Sequence, residues 1–301
     1  MSFYDIGFDI GGTKCAVVLG DGSGKILDRA AFPTAATGDW RNVLTRMCDE
    51  AERLLDGRAL RAVGISCGGP LDHRTGVIYS PPNLPGWDEV PATEFVRARL
   101  NVPVFLQNDA NACALAEWRY GAAKGTRDAI FLTFGTGLGA GLILGGRLYE
   151  GASGLAGEVG HIRLTESGPM GYGKNGSFEG YCSGGGLSRL AEMRMGREMS
   201  AQELAERADM GDEAARGVYH ESARMLGRGL AILIDILNPE VVVIGSVFAR
   251  AEKYFRGEME RVLKDEALPA ALEQCRIVAS ALGDRLGDVA ALAVAANGMA
   301  E

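Results

Sequence analysis

Asp9, Gly11, Gly12, Thr13 and Lys14 fall together in the run FDIGGTK, Phe8 to Lys14, and their types suit the holding of a phosphate chain. Asp9 ends an apolar, strand-like segment, where a carboxylate can meet Mg²⁺. Gly11 and Gly12 permit a sharp turn and let backbone N–H groups approach an anion. Thr13 adds a hydroxyl donor and Lys14 a positive charge. A second Gly-rich hairpin, FLTFGTGLGAGLILGG from Phe131 to Gly146, again sets Gly and Thr between apolar segments. Two such turns, one in each half of the chain, could grip a polyphosphate from both sides. Glycines that only close two unrelated hairpins are the plainer alternative.

Two further groups carry reactive side chains. PVFLQNDANA reads as a strand that ends at Asn108 and Asp109, the edge at which α/β folds build their sites. Asp109 there suits a general base for a sugar hydroxyl, while the same pair also suits an ordinary helix N-cap. LAGEVGHI sets Glu158 three residues before His161 in a Gly-rich stretch. A carboxylate and an imidazole at that spacing can bind neighbouring hydroxyls of a pyranose or help ligate a metal.

The elements that must position these residues follow from pattern. Strands are expected at Tyr4 to Ile10, Cys15 to Leu19 and Lys25 to Ala31, a meander joined by the Gly-Gly turn and by Asp21-Gly22-Ser23-Gly24. Asp39 to Leu55 reads as an amphipathic helix with Val43, Leu44, Met47, Ala51, Leu54 and Leu55 on one face, stopped at Gly57. A strand at Ala62 to Ser66, a Gly/Pro-rich loop to Pro91, a helix near Glu94 to Leu100, a strand at Val102 to Gln107 and a helix at Asn111 to Gly121 complete the half. The order restarts at Ala129 with another meander, so the chain reads as an α/β protein of two similar lobes with a cleft between them. An irregular stretch, Glu150 to Gly186, interrupts the second half; loops of that length are usually functional or disordered. Helices through Asp209, capped by Ser200 and Glu203, and over Glu213 to Leu237 follow. A strand at Val241 to Gly245, a helix near Ala249 to Leu263, a strand near Cys275 to Ala279 and a final helix from Asp284 to Asn297 end the chain.

Composition narrows the class. The 301 residues suffice for a large core, and 47% hydrophobic with 23% charged residues is ordinary for a folded globular protein. A net charge of −8, with no run of Lys and Arg, argues against nucleic-acid binding. Six scattered cysteines, without a C-x-x-C pair, read as reduced thiols. Neither a leader nor a membrane span of about 18 apolar residues is visible, so the expected location is the cytoplasm.

DIGGTK, GISCGGPLDHRTGVI, PPNLPGW, QNDANACALAEW, FGTGLGAGLILGGRLYEGASGLAGEVGH and NPEVVVIG, in that order over nearly the whole chain, resemble the ROK family of bacterial sugar kinases. The resemblance implies an actin-like (ribonuclease H-like) fold, with residues 1–120 plus 284–301 as a small N-terminal lobe and 121–283 as a large C-terminal lobe. It implies ATP-dependent phosphorylation of a hexose, with Mg²⁺, glucose or a close relative as acceptor at the 6-position, and a homodimer or higher homo-oligomer. Asp109 then resembles the catalytic base, and Gly69, Asn83, Asn108, Glu158, His161 and Glu179 the sugar ligands. Asp9, Gly11, Gly12, Thr13 and Lys14 resemble the first phosphate turn, Gly135, Thr136 and Gly137 the second, and Gly245 the adenosine loop.

Two positions depart from the family pattern. Where the family carries a cysteine-rich zinc run after the G-H pair, this chain reads MGYGKNGSFE, with Met170, Tyr172 and Ser177 at the cysteine positions. His161 without thiolates cannot close a structural zinc site, so no zinc is expected. The adenosine loop reads VVVIGSVF, with Ser246 where a second Gly is usual. Other readings are an N-acetylhexosamine kinase and a catalytically silent sugar sensor of the same fold. Family repressors carry a helix-turn-helix ahead of the phosphate turn, and here the first strand is expected at about Tyr4.

Overall fold

The computed structural model describes residues 3–36 and 39–300 of the chain. Tyr4–Ile10 (β1), Lys14–Gly20 (β2) and Ile26–Pro33 (β3) form the expected antiparallel meander. Helix α1 spans Trp40–Leu55 and buries Val43, Leu44, Met47, Cys48, Ala51, Leu54 and Leu55, the face its periodicity marks. It starts where the Asp39 side chain accepts a hydrogen bond from the Arg41 N–H, and stops where Asp56 turns to φ +46°. Leu60–Cys67 (β4), a two-residue hairpin of Leu71–Asp72 (β5) and Val77–Ile78 (β6), Ala92–Leu100 (α2), Val104–Asn108 (β7) and Asp109–Tyr120 (α3) follow.

Among the described residues the strands of this half make a five-stranded sheet in the order β3-β2-β1-β4-β7. β1, β4 and β7 run parallel, and their last residues share one row: Ile10 pairs with Cys67, and Cys67 with Asn108. Whatever follows those three residues in sequence therefore emerges from one sheet edge. That edge is where a parallel sheet places its functional loops.

The second half repeats the plan. Ala129–Phe134 (β8), Leu138–Leu144 (β9) and Arg147–Leu148 (β10) form a meander. Next come a hairpin of Met170–Gly171 (β11) and Lys174–Asn175 (β12), then Phe178–Tyr181 (α4), Gly184–Met195 (α5), Ala201–Asp209 (α6) and Glu213–Leu237 (α7). Val241–Ile244 (β13), Ser246–Glu266 (α8), Pro269–Gln274 (α9) and Arg276–Ala279 (β14) complete it. The sheet order is β10-β9-β8-β13-β14, with β8, β13 and β14 parallel.

The chain divides into two compact units, Met1–Gly125 with Asp284–Glu301 and Thr126–Gly283. The last helix, Leu286–Gly298 (α10), belongs to the first unit. It packs backbone against sheet because Gly7 and Gly64 are register partners on β1 and β4. A Cβ on Gly64 would stand 2.1 Å from the Ala291 carbonyl oxygen and 2.4 Å from the Ala295 nitrogen, and one on Gly7 2.9 Å from the Ala291 Cβ. Two facing glycines thus make the groove that seats α10.

The stretch Glu150 to Gly186 is more ordered than its composition implies. It holds the β11–β12 hairpin, α4 and the first turn of α5. Helices α5 and α9 lie outside the pattern-based expectation altogether. Among the described residues no helix is long and apolar enough to cross a membrane.

Candidate active site

Three loops leave the β1-β4-β7 edge and carry most of the expected residues of the first unit. After β1 comes the turn at Gly11 and Gly12, closed by the Gly11 N–H donating to the Lys14 carbonyl at 3.2 Å. Neither glycine adopts positive φ. Gly12 is needed for close approach instead: a Cβ there would stand 2.4 Å from the Asn83 carbonyl oxygen. The 80s loop therefore lies on the turn, which brings Asn83 to it. Thr13 and Lys14 are exposed.

Sequence reasoning missed the residue that braces this turn. The Thr34 hydroxyl donates to the Gly11 carbonyl at 2.6 Å, and the Thr34 N–H donates to the Thr13 carbonyl at 3.1 Å. Cys15 Sγ lies 3.4 Å from the same hydroxyl oxygen. Thr34 lies buried just beyond β3, and no local pattern in the sequence marks it.

After β7, the N-cap reading of Asn108 and Asp109 is what the hydrogen bonds show. Asn108 is the N-cap of α3, its Oδ1 accepting from the Ala110 N–H at 2.9 Å, and Asp109 Oδ1 accepts from the same N–H at 2.8 Å. Gln107 Oε1 steadies the corner by accepting from the Asn108 N–H at 2.9 Å and from Asn111 Nδ2 at 3.1 Å. The loop after β4 closes over them. A Cβ on Gly68 would lie 3.8 Å from the Asn83 amide and 4.0 Å from Asp109 Oδ2, and one on Gly69 3.4 Å from Asn108 Nδ2. Gly69, Asn83, Asn108 and Asp109 are thus neighbours.

Charge completes the picture. Burial first, and then the charge of Asp288, push the Asp9 carboxyl up to about 6, against the pull of Lys14; Asp109 adds a smaller push. Asp288, at the start of α10, is itself held by Arg29 Nε at 2.7 Å. With its carboxyl at about 6, Asp9 is mostly ionised at neutral pH. Burial pushes the Cys67 and Cys113 thiols up, and Asp109 adds to it, so neither is a thiolate nucleophile.

In the second unit the turn Gly135-Thr136-Gly137 joins β8 to β9, with the Gly135 N–H donating to the Gly137 carbonyl at 3.1 Å. Thr133 braces it across the hairpin, its Oγ1 accepting from the Gly139 N–H at 2.9 Å. The start of α5 docks on it too, since Gly184 N–H donates to the Gly135 carbonyl at 2.7 Å and Gly185 N–H to the Thr136 carbonyl at 3.3 Å. Gly245 follows β13 as the N-cap of α8, its N–H donating to the Leu132 carbonyl at 3.0 Å. Ser246 sits at φ +51°, the left-handed region that a glycine occupies without strain.

Glu179 lies against that turn and against Gly160, the residue before His161. Glu179 Oε2 accepts from the Leu138 N–H at 3.0 Å, and a Cβ on Gly137 would come within 2.6 Å of the same oxygen. One Glu179 oxygen is therefore committed to shaping the Gly-rich turn. Glu158 and His161 flank a short 3₁₀ turn at Val159–His161, and both are exposed.

Side-chain chemistry around His161 does not fit a zinc ion. Met170, Tyr172 and Ser177 supply no thiolate. Other contacts hold that loop in its path. Ser177 Oγ donates to the Gly171 carbonyl at 3.2 Å and accepts from the Gly180 N–H at 3.1 Å, while Gly176 N–H donates to the Pro169 carbonyl at 3.1 Å. Phe178, fully buried, anchors the base of the loop; a Cβ on Gly229 of α7 would meet its ring at 2.3 Å. Burying such a side chain is worth about 1.5–3 kcal/mol.

Comparison with known proteins bears on family and fold. The sequence model of the ROK family matches residues 5–297. A glucokinase of Thermotoga maritima is 31% identical over 306 residues, covering 96% of both chains. An N-acetylmannosamine kinase of Escherichia coli is 34% identical over 254 residues, covering 83% of this chain and 84% of that one. The crystal structure of a ROK family glucokinase from Streptomyces griseus, in complex with glucose and AMPPNP, superposes with a TM-score of 0.77 at 32% identity, covering 97% of this chain and 99% of that one.

Proposed function

The chain belongs to the ROK family, and on that footing we propose that it transfers the γ-phosphoryl group of ATP to a hexose, with the 6-hydroxyl of glucose as acceptor. The observation that carries the reading is the shared row Ile10, Cys67 and Asn108, which delivers the Gly11-Gly12 turn, Gly68-Gly69 and Asp109 to one sheet edge.

In this reading Asp109 accepts the proton of the attacking hydroxyl, a role worth about 10²–10⁴-fold in rate. Its hydrogen bond to the Ala110 N–H fixes the carboxylate and leaves Oδ2 toward the Gly68 loop. Gly69, Asn83, Asn108, Glu158, His161 and Glu179 are the residues proposed to bind the hexose, as the family resemblance implies. Asp9, Gly11, Gly12, Thr13 and Lys14 hold phosphate, as do Gly135, Thr136 and Gly137, and Gly245 lies along the adenosine. Ionised Asp9 is the carboxylate that would meet the Mg²⁺ accompanying ATP. Phosphoryl transfer asks for positioning and charge neutralisation more than for covalent chemistry, and this residue set supplies those.

Glucose and the AMPPNP of the Streptomyces structure support the substrate pair. The similarity to an N-acetylmannosamine kinase favours a second reading, an N-acetylhexosamine acceptor at the same residues. The enzyme is proposed to work in the cytoplasm, where ATP is supplied, and as a homodimer. Exposed Ile232 and Ile236 on α7 offer apolar surface for such an assembly.

ADP release with Mg²⁺ and ATP, measured across glucose, fructose, N-acetylmannosamine and N-acetylglucosamine, tests the proposal. Fastest turnover with glucose supports it, and preference for an N-acetylated sugar supports the second reading. Sugar binding without turnover on any of them refutes both and leaves a sensor.

A further inference from the structure

His161 is held by the hairpin of β11 and β12 through contacts that the proposed chemistry does not use. The Tyr172 ring lies on the imidazole, with centroids 3.9 Å apart and planes 25° from parallel. Lys174 Nζ donates to the His161 carbonyl at 2.8 Å, tying the second strand of the hairpin to the same residue. Gly160 lets the hairpin come this close, since a Cβ there would stand 2.3 Å from the Leu138 carbonyl oxygen and 3.1 Å from Tyr172 Cε2.

Burial does not account for the tyrosine. Tyr172 is 49% exposed, and it occupies φ +51° at the hairpin tip, a conformation that strains an L residue. Met170–Gly171 and Lys174–Asn175 pair on either side of it, and Ser177 and Phe178 fasten the loop below. The ring stacks on His161. An exposed imidazole would otherwise sample several rotamers, and each hexose bound would then have to select one.

We propose that Tyr172 is a positioning residue: its ring holds the His161 imidazole in a single orientation toward a hexose hydroxyl, so that hexose affinity depends on the stack. The inference rests on the reading above in which His161 binds the sugar. It assigns the hairpin tip to substrate affinity and not to the phosphoryl step or to nucleotide binding.

The experiment is steady-state kinetics on the full chain for Tyr172→Phe, Tyr172→Ala, His161→Ala and the double variant, with melting temperatures alongside. Tyr172→Ala should raise the hexose KM about 5–10-fold, the size of an aromatic stack, and change the ATP KM and kcat by less than about 2-fold. Tyr172→Phe, which keeps the ring, should retain most of the hexose affinity that Tyr172→Ala loses. In the His161→Ala background, Tyr172→Ala should add nothing further.

Three results would overturn the inference. A hexose KM unchanged in Tyr172→Ala while His161→Ala raises it would remove Tyr172 and leave the His161 assignment standing. An unchanged hexose KM in His161→Ala would remove both. Equal loss in hexose KM, ATP KM and melting temperature for Tyr172→Ala would show that the ring only supports the fold.

Discussion

The Thr34 hydroxyl donates to the Gly11 carbonyl at 2.6 Å, so the end of β3 sets the shape of the turn that follows β1. A phosphate turn works by aiming backbone N–H groups, and the opposite face of each peptide must be held for that aim to persist. Thr34→Val keeps the shape and deletes the donor. It should cost about 1 kcal/mol of stability and raise the ATP KM several-fold, with the hexose KM unchanged. Paired substrate titrations check this, and a change confined to the hexose KM would show that Thr34 serves another part of the site.

Asp9 provides a pH dependence. Its carboxyl is raised to about 6, by burial and then by Asp288, so the anion proposed to meet Mg²⁺ is lost as pH falls through that value. The kcat/KM for ATP should fall on the acid side with an apparent pKa near 6. Asp288→Asn removes the largest charge acting on Asp9 and should move that limb to lower pH. The stability effect of this group has the opposite sense. Between its ordinary pKa of about 3.9 and about 6, the folded state holds more protons than the unfolded one, so the contribution falls as pH rises through that window and is level above it. An acid limb unmoved by Asp288→Asn would contradict the role given to Asp9.

Much of this arrangement is legible before any coordinates. The strands ending at Ile10, near Cys67 and at Asn108 follow from short apolar runs bounded by turn residues, and once they are parallel neighbours their following loops must converge. Patterning failed where glycine served packing instead of a turn. Helix α5 begins Gly184-Gly185-Gly186 and reads as loop, yet a Cβ on Gly186 would stand 2.4 Å from the Gly180 carbonyl oxygen, so the glycines seat the helix against α4. Its signals were Ser183, whose Oγ accepts from the Gly186 N–H at 2.8 Å, and the spacing of Leu187, Leu190 and Ala191. Thr34 and the tie from Leu138 N–H to Glu179 were out of reach for a different reason. Both depend on a meander or a loop folding back over tens of residues, which local periodicity does not encode.

Ser246 stands where its backbone favours glycine. At φ +51° a serine bears roughly 1–2 kcal/mol of left-handed strain, against about 0.5–1 kcal/mol that glycine loses in unfolded-chain entropy. Ser246→Gly should therefore stabilise the protein by about 0.5–1 kcal/mol and leave the ATP KM within about 2-fold. Chemical denaturation measures the first and kinetics the second. A destabilised variant would show that the Ser246 side chain earns its place through contacts with the nucleotide loop.

Metal removal distinguishes the 170s loop from a zinc-held one. Hydrogen bonds of Ser177 and the buried Phe178 fasten it, and the residues around His161 offer no thiolate. Prolonged treatment with a strong chelator, followed by return of Mg²⁺, should leave the melting temperature and the hexose KM unchanged. Metal analysis finding stoichiometric, tightly held zinc would refute this description of the loop.

Asp109 is the proposed base, and one comparison tests it: ADP release with glucose, Mg²⁺ and ATP for the wild type and for Asp109→Asn. The asparagine keeps the acceptor for the Ala110 N–H and removes the base. The expected result is brisk glucose-dependent turnover in the wild type and a loss of about 10²–10⁴-fold in the variant, with glucose binding within about 2-fold of wild type. Near wild-type turnover in Asp109→Asn would contradict its role as the base, and absence of glucose-dependent turnover in the wild type would contradict glucose as the acceptor.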